Sequence, residues 1–90
     1  MNKHDLTLRL AKKLDISQRL ANDAIDTMIG EITTAVKKGQ RVTLVGFGTF
    51  YRAKRAARMG RNPQTGMRMR IPAARVPRFK AGDAFKIAVK

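Results

Sequence analysis

Apolar residues recur every three or four positions through the first part of the chain and every second position after it, so helices should precede strands. Between Lys3 and Leu14 the apolar set is Leu6, Leu10, Ala11 and Leu14, a narrow stripe on an otherwise charged helix. Asn2 is placed to cap that helix, and Asp5, three residues on, complements the positive end of its dipole. After a short link, Ser17 can cap a second helix. Its apolar positions, Leu20, Ala21, Ala24, Ile25, Met28, Ile29, Ile32, Ala35 and Val36, cover a much wider face and make it the main core helix. Lys37 and Lys38 followed by Gly39 read as its end: cations at the negative pole, then a residue that accepts positive φ.

From Arg41 the period is two. "RVTLV" predicts a strand and "GFGTF" a tight bend, in which Gly46 and Gly48 permit the turn and Phe47 and Phe50 supply core bulk. The run from Tyr51 to Arg58 contains no large aliphatic residue. Met67, Met69 and Ile71 then alternate with Arg68 and Arg70, giving the returning strand one apolar and one cationic edge. Pro72 and Pro77 confine that strand to a sheet edge or to irregular pairing. A short helix starts at Gly82 or Asp83 and carries Phe85, Ile87, Ala88 and Val89.

The expected fold is therefore α+β: two N-terminal helices, a three-stranded antiparallel sheet with a long extended β-hairpin arm, and a short C-terminal helix. One domain spans residues 1–90, with its body in 1–51 and 77–90 and its arm in 52–76. From Arg52 to Gly60 the chain extends roughly 30 Å at ~3.4 Å per residue, and it has no core to fold back on. Without the arm ~65 residues remain, a size at which one core is marginal. Those residues carry Phe47, Phe50, Phe79, Phe85 and the broad face of the second helix, more apolar surface than so small a body covers. A partner subunit is the simplest cover, so a dimer is expected.

Charge changes the picture from scaffold to partner. Twenty Lys and Arg against six Asp and Glu give a net charge of +14, the footprint of a polyanion binder, with nucleic acid the first candidate. Residues 1–40 carry only +2 of this and residues 41–90 carry +12, so one half builds and the other binds. Zero cysteines exclude a disulfide framework and a thiolate zinc site. The first fifteen residues hold charges every few positions, so neither a signal peptide nor a membrane span is expected and a cytoplasmic protein is the default.

The segment Arg61-Asn62-Pro63-Gln64-Thr65-Gly66 has the chemistry of a hairpin tip, with Pro suited to the second turn position and Asn and Gly to the flanks. A proline there is most simply a turn-former. Its setting adds a second reading, because Arg55, Arg58, Arg61, Arg68 and Arg70 line both sides, and an apolar ring at the end of a cationic arm can wedge into a DNA base step.

"VGFGTF", its spacing to "RAARMGRNPQTG", and "IPAARVPRFKAG" resemble the bacterial histone-like HU and integration host factor family over essentially the whole chain. The resemblance implies an obligate, intertwined dimer whose two β-arms reach around a DNA duplex. It makes Pro63 the intercalating proline and sets Arg55, Arg58, Arg61, Asn62 and Gln64 near the minor groove. Arg52, Lys54, Thr65, Arg68, Arg70, Arg75 and Arg78 join them as candidate DNA contacts, and Lys3, Lys80 and Lys86 as phosphate contacts of the body. Phe47, Phe50 and Phe79, with Ile32, Val36 and Leu44, become the dimer core, and Gly46 and Gly48 the bend. The chain departs from the family pattern at Tyr51, Arg52, Met67, Arg68, Met69 and Arg70, on a stretch where family members often carry acids. Arg78 and Asp83 depart as well, standing where small and basic residues are common.

The implied function is architectural: binding double-stranded DNA in the minor groove with little sequence preference, bending it by proline wedging, compacting the nucleoid, and favouring nicked, gapped or bent DNA. Sequence-preferring bending of the integration-host-factor kind is the first alternative. A basic RNA-binding protein is the second, with Tyr51 stacking on a base, although a half-buried strand tyrosine is the simpler reading. A homodimer is expected, and a heterodimer with a paralogue stays open. Enzyme chemistry finds no support: His4 stands alone in a first turn, Asp23 and Asp26 read as solvated carboxylates, and no phosphate-cradling glycine loop precedes a helix. No cofactor, metal or membrane partner is expected. Met59, Met67 and Met69 read as packing for the thin apolar edge of the arm, with contact to sugar edges as the other role.

Overall fold

All 90 residues are described by the computed structural model, and their internal contacts form two units, Met1–Thr34 and Ala35–Lys90. The first holds α1 (Lys3–Leu14) and the greater part of α2 (Gln18–Lys37). Asn2 caps α1 through a reciprocal box: its side-chain oxygen accepts from the Asp5 amide at 3.0 Å, and the Asp5 carboxylate accepts from the Asn2 amide at 3.1 Å. Two amides that the helix cannot satisfy internally are thereby satisfied. α1 closes on Asp15 in the left-handed conformation (φ 53), which a short polar side chain tolerates. The Ser17 hydroxyl then accepts from the Leu20 amide at 3.0 Å and starts α2.

The buried residues of this unit, Thr7, Ala11 and Ala21, are all small. Leu6, Leu14, Leu20, Met28 and Ile29 stay exposed, so the wide apolar face expected of α2 forms but is only partly covered within one chain.

The second unit holds the last turn of α2, then β1 (Val42–Leu44), β2 (Gly48–Arg55), β3 (Arg58–Arg61), β4 (Arg68–Ile71), β5 (Ala74–Ala81) and α3 (Asp83–Ala88). α2 ends as the Lys-Lys-Gly signal predicts. Gly39 takes φ 85, its amide donates to the Val36 carbonyl, and the Gln40 amide donates to the Ala35 carbonyl, each at 2.9 Å. The three-stranded sheet is antiparallel in the order β1-β2-β5, with β2 and β5 paired from Gly48–Ala81 to Arg55–Ala74.

The long hairpin is not one continuous ladder. Pairing stops at Ala56–Ala57 on the way out and at Pro72–Ala73 on the way back, and β3 and β4 form a separate two-stranded sheet beyond the break. The physical cause on the returning side is Pro72, which has no amide to give the ladder. Pro77, by contrast, stays inside β5 opposite Arg52, on a strand that pairs on one side only.

The bend needs correcting at one glycine. Gly46 has φ 85 in a turn closed by the Phe47 amide donating to the Leu44 carbonyl at 2.9 Å, as expected. Gly48 does not shape the turn. It is the first residue of β2, and a Cβ there would lie 2.6 Å from both the Lys80 carbonyl oxygen and the Phe79 ring, so close approach of β5 requires glycine.

Phe47, Phe50, Phe79 and Phe85 gather at the base of this sheet, with ring centroids 4.7 Å apart for Phe47 and Phe85, 4.8 Å for Phe50 and Phe79 and 5.2 Å for Phe47 and Phe79. Yet Phe47 is 41% and Phe79 40% exposed, and no large side chain anywhere in the chain is fully buried. Of the other expected core residues Val36 is buried, while Ile32 and Leu44 are half-buried.

Candidate nucleic-acid interface

The segment from Arg52 to Val76 holds eight basic residues and no acid. Strand register sorts them by face, because residues opposite one another across an antiparallel pair point the same way. At the arm root, Lys54 faces Arg75 and Tyr51 faces Arg78. Toward the tip, Arg61 faces Arg68 and Met59 faces Arg70 on one side, while Gly60 faces Met69 and Arg58 faces Ile71 on the other. The predicted apolar and cationic edges of the returning strand are thus the two faces of β4, and Arg61, Arg68 and Arg70 share one face of the β3–β4 pair. Like charges directly opposite destabilise a strand pair, so this face has no folding rationale of its own. An external polyanion would relieve the repulsion.

The tip is ordered by its own backbone and side chains. The Gly66 amide donates to the Asn62 carbonyl at 2.7 Å, the Asn62 amide to the Met67 carbonyl at 2.8 Å, and the Gln64 amide to the Asn62 side-chain oxygen at 2.9 Å. The Thr65 hydroxyl accepts from the Met67 amide at 3.3 Å, and Gly66 takes φ 70. Pro63, with no amide to satisfy, sits exposed in the second position of this turn. Asn62 and Thr65 therefore shape the loop, and Pro63 and the Gln64 side chain are what it presents.

The remaining candidates are divided. Lys80 on β5 and Lys86 on α3 are exposed, as are Lys54, Arg58, Arg75 and Arg78. Arg55 is half-buried, with its Nε enclosed and without a hydrogen-bond partner. Lys3 forms an ion pair with Asp26, whose carboxylate also accepts from the Asn22 amide group. Arg52 is engaged as well: its Nη1 donates to the Lys37 carbonyl at the end of α2, at 3.0 Å. Tyr51 is half-buried, with the Arg41 guanidinium 5.2 Å from its ring centroid, which favours the strand-tyrosine reading over a free stacking platform. Sequence reasoning missed both guanidinium contacts, since each depends on how separate elements meet. No cluster of three or more His, Cys, Asp or Glu is placed to hold a metal, and no helix is long and apolar enough to cross a membrane.

A family profile described as bacterial DNA-binding protein matches residues 1–90. The chain belongs to that family, the HU family. Similar HU-family proteins include DNA-binding protein HU-beta of Neisseria meningitidis, 51% identical over 99% of this chain and 100% of that protein, and DNA-binding protein HU of Staphylococcus aureus, 49% identical over the full length of both. Among solved structures, an Anabaena HU–DNA cocrystal structure superposes with a TM-score of 0.96 at 44% identity, covering 99% of this chain and 97% of that one. HU from Thermotoga maritima superposes with a TM-score of 0.71 at 32% identity over the whole of both chains. As a member of the HU family the chain is a histone-like, DNA-binding architectural protein and not an enzyme. The element order, helices followed by an antiparallel sheet and a short C-terminal helix, is the fold of these neighbours.

Proposed function

We propose that the protein acts as a dimer whose two β-arms, residues 52–76 of each subunit, grip double-stranded DNA in the minor groove and bend it. The observation that carries this reading is the β3–β4 sheet: Arg61, Arg68 and Arg70 share a face without a counter-charge, at the end of an arm tipped by an exposed Pro63. Arginine suits a narrow, electronegative groove because its flat guanidinium is weakly hydrated. The groove's degenerate acceptor pattern makes the grip tolerant of sequence.

Dimerisation is supported by what one chain leaves undone, the partly uncovered face of α2 and the half-open cluster of Phe47, Phe50 and Phe79. A homodimer needs no further component. Unstacking a base step costs a few kcal/mol, and bending a site of 20–30 base pairs about 1 to 6 kcal/mol. Phosphate neutralisation offsets this: with ~8 phosphates engaged per dimer, log K falls with log salt at a slope of roughly −7. The bend brings further phosphates toward Lys80 and Lys86 of the body. The same chemistry would place the protein on the nucleoid and compact it.

The test combines gel shift and end-to-end energy transfer on matched intact and nicked duplexes at 0.2 M salt. The wild type should prefer the nicked duplex, where less deformation is needed, and Pro63→Ala should lose bend more than affinity. Equal affinity for the two duplexes together with an unchanged bend would overturn the wedge. Tighter binding to RNA than to duplex DNA would favour the RNA reading instead.

A further inference from the structure

The end of α2 leaves the Lys37 carbonyl for a side chain to fill. Its closing turn uses the Ala35 and Val36 carbonyls for the amides of Gln40 and Gly39, whereas the Lys37 carbonyl receives the Arg52 guanidinium at 3.0 Å. The partner of that bond lies fifteen residues away, at the root of the arm. The guanidinium packs closely on Gly39, where a Cβ would stand 3.0 Å from Arg52 Nη2, and the φ of 85 at this position suits glycine. The negative pole of α2 adds attraction for a cation at this point.

On β2, Arg52 is opposite Pro77, a residue with no amide hydrogen to give the sheet. The neighbouring Tyr51, on the other face of the same strand, lies under Arg41.

From this geometry we infer that Arg52 is a positioning residue: it ties the root of the arm to the C-terminus of α2 and so restricts the directions in which the arm leaves the body. Its charge answers the helix end, not a DNA phosphate. Arg52 thereby leaves the set of candidate DNA contacts. The consequence for DNA binding rests on the groove-gripping reading above, since a tied root narrows the range of bends the arms impose. The tie itself exists in the free protein and is testable without DNA.

Two measurements on full-length Arg52→Met and Arg52→Lys separate the alternatives. Hydrogen exchange on the free protein should be several-fold faster at the β2 amides and at the Gly39 and Gln40 amides in Arg52→Met, and partly restored in Arg52→Lys, which keeps a donor and a charge. With DNA, Arg52→Met should broaden the energy-transfer distribution of bends while the slope of log K against log salt stays within ~0.3 of wild type. A lost phosphate contact would instead reduce that slope by ~0.9 per subunit. Unchanged exchange, or a reduced slope, overturns the assignment. If Arg52→Met does not fold, faster exchange in Arg52→Lys supports the tie and unchanged exchange overturns it. Failure to bend DNA in wild type would strike the groove reading alone and leave the exchange result standing.

Discussion

The root and the tip of the arm are both antiparallel pairs rich in basic residues, but they use those residues differently. At the root, Arg52 answers the Lys37 carbonyl, Arg41 lies over Tyr51, the Thr43 and Thr49 hydroxyls share a hydrogen bond of 3.1 Å, and Phe50 meets Phe79. At the tip the loop satisfies itself through Asn62, Thr65 and Gly66, while Arg61 and Arg68 are left facing each other. Arginine thus has protein partners at Arg52 and Arg41, and none at Arg61 and Arg68. What separates them is whether an acceptor lies within reach of the side chain.

Three substitutions sharpen that contrast, in falling order of effect on stability. Phe79→Ala removes the ring that contacts both Phe47 and Phe50, and should cost about 3 kcal/mol or abolish the folded dimer, read by thermal melting and sedimentation. A 10 kDa species in wild type at micromolar concentration and moderate salt would argue against the dimer on which this estimate rests. Gly48→Ala drives a methyl group into the Lys80 carbonyl and the Phe79 ring, and should lower stability by about 2 kcal/mol in a denaturant titration. Gly66→Ala strains a residue at φ 70 by ~1 kcal/mol, but only in the tip loop. Its melting midpoint should scarcely move, while DNA bending falls.

Much of this was legible in the sequence. The caps at Asn2 and Ser17, the Lys37-Lys38-Gly39 stop and the positive φ at Gly46 are local signals, and local signals survive folding. The family resemblance was carried by motifs whose spacing spans the chain, and the whole-chain family match upholds it. The break in the arm was not legible as a break, because Pro72 admitted either a sheet edge or irregular pairing. Nor was the role of Gly48, whose constraint comes from Phe79 and Lys80, thirty residues on. The bond from Arg52 to the Lys37 carbonyl was not legible either: in a run of bases nothing marks the one that finds a carbonyl at a helix end.

The most direct test of this division is to melt the double variant Arg61→Gln/Arg68→Gln and measure its salt-dependent DNA binding side by side with wild type. If the tip charges serve a polyanion and not the fold, the melting midpoint stays level or rises as the repulsion is relieved, and the slope of log K against log salt becomes shallower by roughly 2 to 4 per dimer. A lowered midpoint with an unchanged slope would contradict the account, because those arginines would then be holding the arm together and the DNA would be held elsewhere.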